Sequence, residues 1–213
     1  MSDAELRTRI IEAARLHFFE HGFSKSTMEE LAQTMGMSKK TIYKFFPGKE
    51  DLIREITREK LTAVHHTCLR IQGDRSIDFM ERIRTITGFI SKEMRALKPQ
   101  FYVDLQRTMP ELWKEVEEFR TKRVLEDFSA VIREGIALGV FRNDINVEVL
   151  VMMYSSAMQS IINPETLSQL PLNSSQAYEA IVEIIFGGVF TPAGKERYAA
   201  QLHTHDTTEA HRP

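Results

Sequence analysis

Apolar residues recur three and four positions apart through almost the whole chain, and no stretch alternates for long enough to suit a strand. Ile10, Ala14 and Phe18 form one such stripe and end at Gly22-Phe23; Leu31, Ala32 and Met35 form a shorter one that ends at Gly36. A further short helix, anchored by Ile42 and by Phe45 or Phe46, stops at Pro47-Gly48. From Lys49 to about Gln72, Leu52, Ile53, Ile56, Leu61, Val64 and Leu69 predict one long helix, broken by Gly73-Asp74. Phe79, Ile83, Ile86 and Ile90 predict the next over roughly 76–97, before Pro99. A short piece, Phe101 to Arg107, ends at Thr108-Met109-Pro110, and 111–138 carries a stripe of Val116, Phe119, Val124, Phe128, Val131, Ile132 and Ile136, closed by Gly139. Two last helices are expected at 147–162, capped by Asn146 and ended by Asn163-Pro164, and at 175–190. The fold class is therefore all-α, with about nine helices.

Residues 27–52 carry the local signals of most consequence. Thr27 with Glu30 three residues later is a capping box, satisfying free N–H groups at a helix start. Gly36 suits the positive φ at which a helix ends, and Ser38 caps the next. From Leu31 to Lys49 there is no Asp or Glu, while Lys39, Lys40, Lys44 and Lys49 are present, with the hydroxyls of Thr41 and Tyr43 beside them. Helix, tight turn and basic second helix are how a helix–turn–helix reader of DNA is built: charge holds phosphates while leading side chains reach base edges. The alternative from the same residues is a short, solvated basic helix pair in some other helical protein.

The string T-x₃-LA-x₃-G-x-S-x-x-TIY-x-x-F-x-x-KE-x-L, carried by Thr27, Leu31, Ala32, Gly36, Ser38, Thr41, Ile42, Tyr43, Phe46, Lys49, Glu50 and Leu52, resembles the DNA-binding domain of TetR-family transcriptional regulators. With Ile10, Ala14, Phe18 and Gly22-Phe23 before it, the resemblance covers roughly residues 6–55. Lys40 departs from it, standing where many members carry a small residue, which bears on operator choice. The resemblance implies a three-helix DNA-binding domain followed by a helical effector-binding and dimerisation domain. It also implies a homodimer formed by the last two helices as a four-helix bundle. Lys39, Lys40 and Tyr43 would then approach the major groove, with Lys40 reading a base, while Thr27, Thr41, Lys44 and Lys49 hold phosphates and Ser38 caps the recognition helix. The helix start at Lys49 would add backbone N–H groups that favour anions.

Charge fits this division. The formal net charge is −2, yet residues 1–49 hold eight Lys/Arg against six Asp/Glu, or +2, and the remainder −4. Screening confines such effects to about 8–10 Å, so the local balance is what a partner meets. Cys68 is the single cysteine, which excludes an internal disulfide and fits a reducing cytoplasm. No signal pattern and no apolar run near the ~18 residues of a membrane span occurs, so a cytoplasmic protein with no membrane partner is expected. His203, His205 and His211 in the tail, and His65, His66 and Cys68 on the long helix, lack the surroundings of a metal site; no metal or cofactor is expected. No nucleophile–base order, P-loop or dinucleotide motif appears, Gly135-x₃-Gly139 included, so an enzyme is not expected.

The last two helices are apolar almost all round: Leu150, Val151, Met152, Met153, Tyr154, Ala157, Met158 and Ile161, then Ala180, Ile181, Val182, Ile184, Ile185, Val189 and Phe190. Such helices need burial on two sides, here supplied by a second copy, with Gly187-Gly188 permitting close approach, or else by a monomeric core. Candidate walls of an effector cavity are Phe89, Met94, Phe101, Tyr102, Leu105, Met109, Trp113, Phe128, Met152 and Met158, soft and mostly apolar. The expected division is 1–48 for DNA binding, 49–190 for effector binding and dimerisation, and a flexible tail, 191–213. The expected function is a repressor released from a palindromic DNA operator by a small, mostly apolar ligand. Rivals are a helical ligand-binding or enzymatic protein with a vestigial helix–turn–helix, and a dimeric DNA-binding protein without an effector.

Overall fold

A computed structural model describes residues 2–196 and 198. Its eleven α-helices are α1 (Asp3–His21), α2 (Met28–Thr34), α3 (Lys39–Phe45), α4 (Lys49–Gly73), α5 (Phe79–Ala96), α6 (Pro99–Thr108), α7 (Pro110–Arg123), α8 (Ser129–Ala137), α9 (Val147–Ile161), α10 (Pro164–Ser168) and α11 (Ser174–Val189). The described residues contain no strand, only an isolated antiparallel bridge between Phe141 and Phe190. None of the helices is long and apolar enough to cross a membrane. Two features raise the number above the nine expected. The segment read as one helix over 111–138 contains a π-turn, Val124–Phe128, between α7 and α8. Its extra residue turns the following face by about 100°. The other is α10, which Asn163 caps by accepting from Thr166 N, with Pro164 in its first turn.

Packing groups the chain into two units, residues 1–65 with 93–119, and residues 66–92 with 120–213. The buried core runs across the boundary expected at residue 48. The buried cluster that holds Ile10, Phe18, Leu31 and Ile42 continues through Leu52, Ile53 and Ile56 of α4 and through Phe101, Leu105, Met109, Leu112 and Val116. α1, α2 and α3 make a small core, and the first turns of α4 with α6 and α7 complete it. The edge-on contacts of Phe101 with Phe19 at 4.8 Å and Phe23 at 5.5 Å show how it closes.

In the second unit α9 and α11 pack on each other, and Tyr154, Met158, Tyr178, Ile181 and Phe186 are buried. Phe128 stacks on Tyr154 at 4.4 Å. Arg82, almost fully buried, is fixed by Glu134 at 2.7 Å and by the Gln72 carbonyl at 2.7 Å, and lies over the Phe79 ring. The guanidinium hydrogen bond, outweighing burial, holds the Glu134 carboxyl below its ordinary pKa. Residues 192–196 are helical, with Thr191 Oγ1 accepting from Gly194 N and Gly194 buried, so the expected flexible tail does not begin at Thr191. Most of that tail, with His203, His205 and His211, lies outside the described residues.

Candidate nucleic-acid interface

The helix–turn–helix forms as its local signals predict. Thr27 Oγ1 accepts from Glu30 N while the Glu30 carboxylate accepts from Thr27 N at 2.7 Å, closing the capping box of α2. Met37 N donates to Ala32 O at 2.8 Å across the turn, and Gly36 there takes a φ of +63°. Ser38 Oγ accepts from Thr41 N at 3.1 Å and lies 2.8 Å from the Thr41 hydroxyl. Ile42, fully buried, pins α3 to the core, which leaves Lys39, Lys40, Tyr43 and Lys44 exposed.

Acids that the local sequence lacks arrive from elsewhere. The Lys39 ammonium pairs with the Glu29 carboxylate of α2, and that of Lys44 with Asp3 of α1 at 2.6 Å. Lys40 makes no ion pair and no hydrogen bond among the described residues, so it is the one uncommitted cation on α3. Tyr43 is 47% exposed beside it. Thr27 faces outward with its hydroxyl proton still available for donation, since the oxygen is used only as an acceptor.

Lys49 is committed in part within the domain. Its ammonium turns inward and donates to the carbonyls of Phe23 at 3.0 Å and Ser26 at 2.9 Å. The same loop is held from its other side by Asp104 of α6, which no pattern along the chain singles out. Asp104 Oδ2 accepts from Phe23 N at 2.6 Å and from Ser24 N at 2.8 Å, and Oδ1 from Gln100 Nε2 at 2.6 Å. Burial alone would raise its pKa, but these hydrogen bonds win and hold the carboxyl below its ordinary value. Gly22 makes room for it: a Cβ there would lie 2.6 Å from Asp104 Oδ2, and its φ of +75° favours glycine as well. Phe23 thus has its N–H taken by one helix and its C=O by another. The start of α4 also carries Glu50 and Asp51 in its first turn, which offsets the pull of its N–H groups on an anion.

The ten candidate cavity residues are not brought together in one unit. Phe101, Leu105 and Met109 are spent in the first unit's core, with Trp113 packed against it and Tyr102 edge-on to Trp113 at 6.5 Å; the half-buried Met94 belongs to the same unit. Phe89, Phe128, Met152 and Met158 fall in the second unit, and there Met152 is 63% exposed. An apolar helical stripe looks the same whichever core it fills, so spacing could not sort these residues. His65 lies edge-on to Phe119 at 6.0 Å. Among the described residues no three His, Cys, Asp or Glu are grouped to hold a metal.

A capped helix pair with a short turn, presenting cations and hydroxyls from its second helix, defines a helix–turn–helix DNA-binding protein. Comparison with known proteins narrows the class. Residues 10–56 match the family of bacterial regulatory proteins called tetR. The chain is similar to the transcriptional repressor KstR2 of Mycolicibacterium smegmatis, 22% identical over 194 residues, covering 90% of this chain and 94% of that one. It is also similar to the fatty acid metabolism regulator protein of Bacillus subtilis, 21% identical, with coverage of 85% and 94%. Among solved structures, a TetR-family regulator from Marinobacter aquaeolei superposes with a TM-score of 0.68 at 19% identity, covering 93% of this chain and 97% of that one. The ketosteroid regulator KstR2 of Mycobacterium tuberculosis does so with 0.54 at 20%, covering 87% and 95%. Residues 10–56 thus carry a DNA-binding domain of the tetR type, and the chain is similar over most of its length to DNA-binding transcriptional regulators.

Proposed function

We propose that this regulator is a repressor that binds a palindromic operator as a homodimer and leaves it when a small, mostly apolar ligand occupies the second unit. The observation that carries the DNA side is the face of α3, where Lys40 stands uncommitted between Tyr43 and the paired Lys39 and Lys44. Lys40 and Tyr43 reach base edges, Lys39 comes close to the groove, and Thr27, Thr41 and Lys44 hold phosphates. Lys49, with two donors on carbonyls, keeps its third for a phosphate.

Exposed apolar residues on the last long helices support the homodimer. Val149, Met152 and Met153 of α9 and Ile184 of α11 are 52%, 63%, 59% and 74% exposed, and nothing lies within 4 Å of a Cβ built on Gly187 or Gly188. Two protomers then present their α3 helices to half-sites about 34–36 Å apart, or a multiple of it. The effector reading draws on Phe128 and Met158, whose soft walls adjoin a buried pair of hydrogen-bonded phenols, Tyr154 and Tyr178. Burial pushes the Tyr154 hydroxyl up to about 12 and raises that of Tyr178 well above its ordinary value, so both stay neutral. An apolar body with one polar group suits such an interior. The names of relatives, fatty acid metabolism regulator and ketosteroid regulator, make fatty acids and steroids the first compounds to try. By reciprocity, ligand and operator weaken each other by the same factor.

The test is fluorescence anisotropy on the DNA upstream of the chain's own reading frame against scrambled DNA. The expected result is binding at least ~10³-fold tighter to the native segment, with two protomers or a multiple per site. Equal, weak and salt-sensitive binding to both would refute the operator reading. A panel of fatty acids and steroids is then expected to include one that both releases the DNA and raises the melting temperature.

A further inference from the structure

The recognition helix is basic in sequence but largely neutralised in the fold. Of its three lysines, Lys39 is paired with Glu29 and Lys44 with Asp3, and the carboxylates come from the first turns of two different helices. All four side chains are at least half exposed, so the pairs add little to stability. They nonetheless alter what DNA meets. Attraction to DNA of arbitrary sequence comes almost entirely from counterion release by unpaired cations, and two local carboxylates subtract from it. A closely docked complex is affected differently. There a lysine already held in one geometry has less rotamer freedom to lose, which repays part of the repulsion.

We propose that Asp3 and Glu29 are specificity-determining residues, which suppress sequence-independent DNA binding by neutralising Lys44 and Lys39 and leave Lys40 as the free cation that reads sequence. This rests on the assignment of α3 as the DNA-facing helix. The two carboxylates act on discrimination, because loosely held DNA meets the summed charge of the face whereas an operator meets oriented side chains. Asp3 and Glu29 serve both ends at once: they keep the lysines from binding everywhere and keep them aimed.

The experiment compares the full chain with Asp3→Asn, Glu29→Gln and the double variant, by anisotropy on the upstream segment and on a duplex of arbitrary sequence, across a salt series. For the double variant, affinity for arbitrary DNA is expected to rise ~10-fold near physiological salt, and the log–log salt slope to steepen by up to about two. Affinity for the upstream segment is expected to change less than ~3-fold, so that the ratio between the two falls. Each single variant is expected to show about half of the slope change, which keeps the test open if the double variant folds poorly, and melting temperatures check folding. Unchanged affinity and slope on arbitrary DNA, or an equal gain on both DNAs, would overturn the inference while leaving α3 as the DNA-facing helix. Absence of binding to either DNA by every protein, wild type included, would overturn that assignment and this inference with it.

Discussion

Two surfaces of this chain are left unspent by its own packing, and they differ in kind. On α3 the exposed residues are Lys39, Lys40, Tyr43 and Lys44, on a helix anchored by the buried Ile42. On α9 and α11 the exposed residues include the large apolar Val149, Met152, Met153 and Ile184, on helices whose other faces bury Tyr154 and Ile181. Both helix sets are amphipathic towards their own core; only the outer face distinguishes them. An outer face of cations and hydroxyls gains nothing from meeting a second protein surface like itself, whereas one of Met and Ile gains by leaving water. The partner is written in the residues that the core does not use.

The comparison breaks most sharply if the apolar face is given the other face's chemistry. Ile184→Glu with Met153→Glu is expected to leave monomers in sedimentation and to lower operator affinity by ~10³-fold, since one protomer loses the avidity of two. Asp104→Ala touches neither face and tests the scaffold beneath the polar one. Leaving the Phe23 and Ser24 amides unpaired should cost about 2–3 kcal/mol and lower the melting temperature by roughly 5–10 °C. The acid limb of stability carries the same signature. Because the folded Asp104 carboxyl titrates below its ordinary value of 3.8, its contribution is complete above that pH and is lost as pH falls through the folded value. Asp104→Asn is therefore expected to flatten the decline in melting temperature below about pH 4. Lys40→Ala is expected to lower operator affinity by ~10-fold and to relax preference at one base position, read from a panel of single-base operator variants. Smallest is Tyr43→Phe, ~3-fold on the operator with no change in salt slope if its hydroxyl meets a base edge.

Much of the helical order was legible because its determinants are local. The Thr27–Glu30 box, the Ser38 and Asn146 caps and the Gly36 stop each act within a few residues, and each forms where the chain places it. The unexpected features are those whose cause lies at a distance or leaves no period. Asp104 meets Phe23 across 81 positions, and Asp3 meets Lys44 across 41, so the stretch without acids is less basic in the fold than along the chain. The π-turn at Val124–Phe128 breaks a stripe without a proline or glycine to mark it. Lys49 sits in the family motif, yet what it touches depends on where the α1–α2 loop comes to lie. For the apolar residues of α6, composition tells that a side chain is inside and not which interior it enters.

The grip on Phe23 also limits how this domain can be borrowed. Residues 1–48 look like a cassette that could be exchanged to give a regulator a new operator, but they end one position before Lys49 and far before Asp104. Grafted alone, the cassette would strand the Phe23 and Ser24 amides and the Phe23 and Ser26 carbonyls, just upstream of the cap that starts α2. A working chimera has to carry Lys49 and an Asp104 equivalent along with the cassette, so the unit of inheritance for DNA reading is a discontinuous one, spread over two stretches of chain.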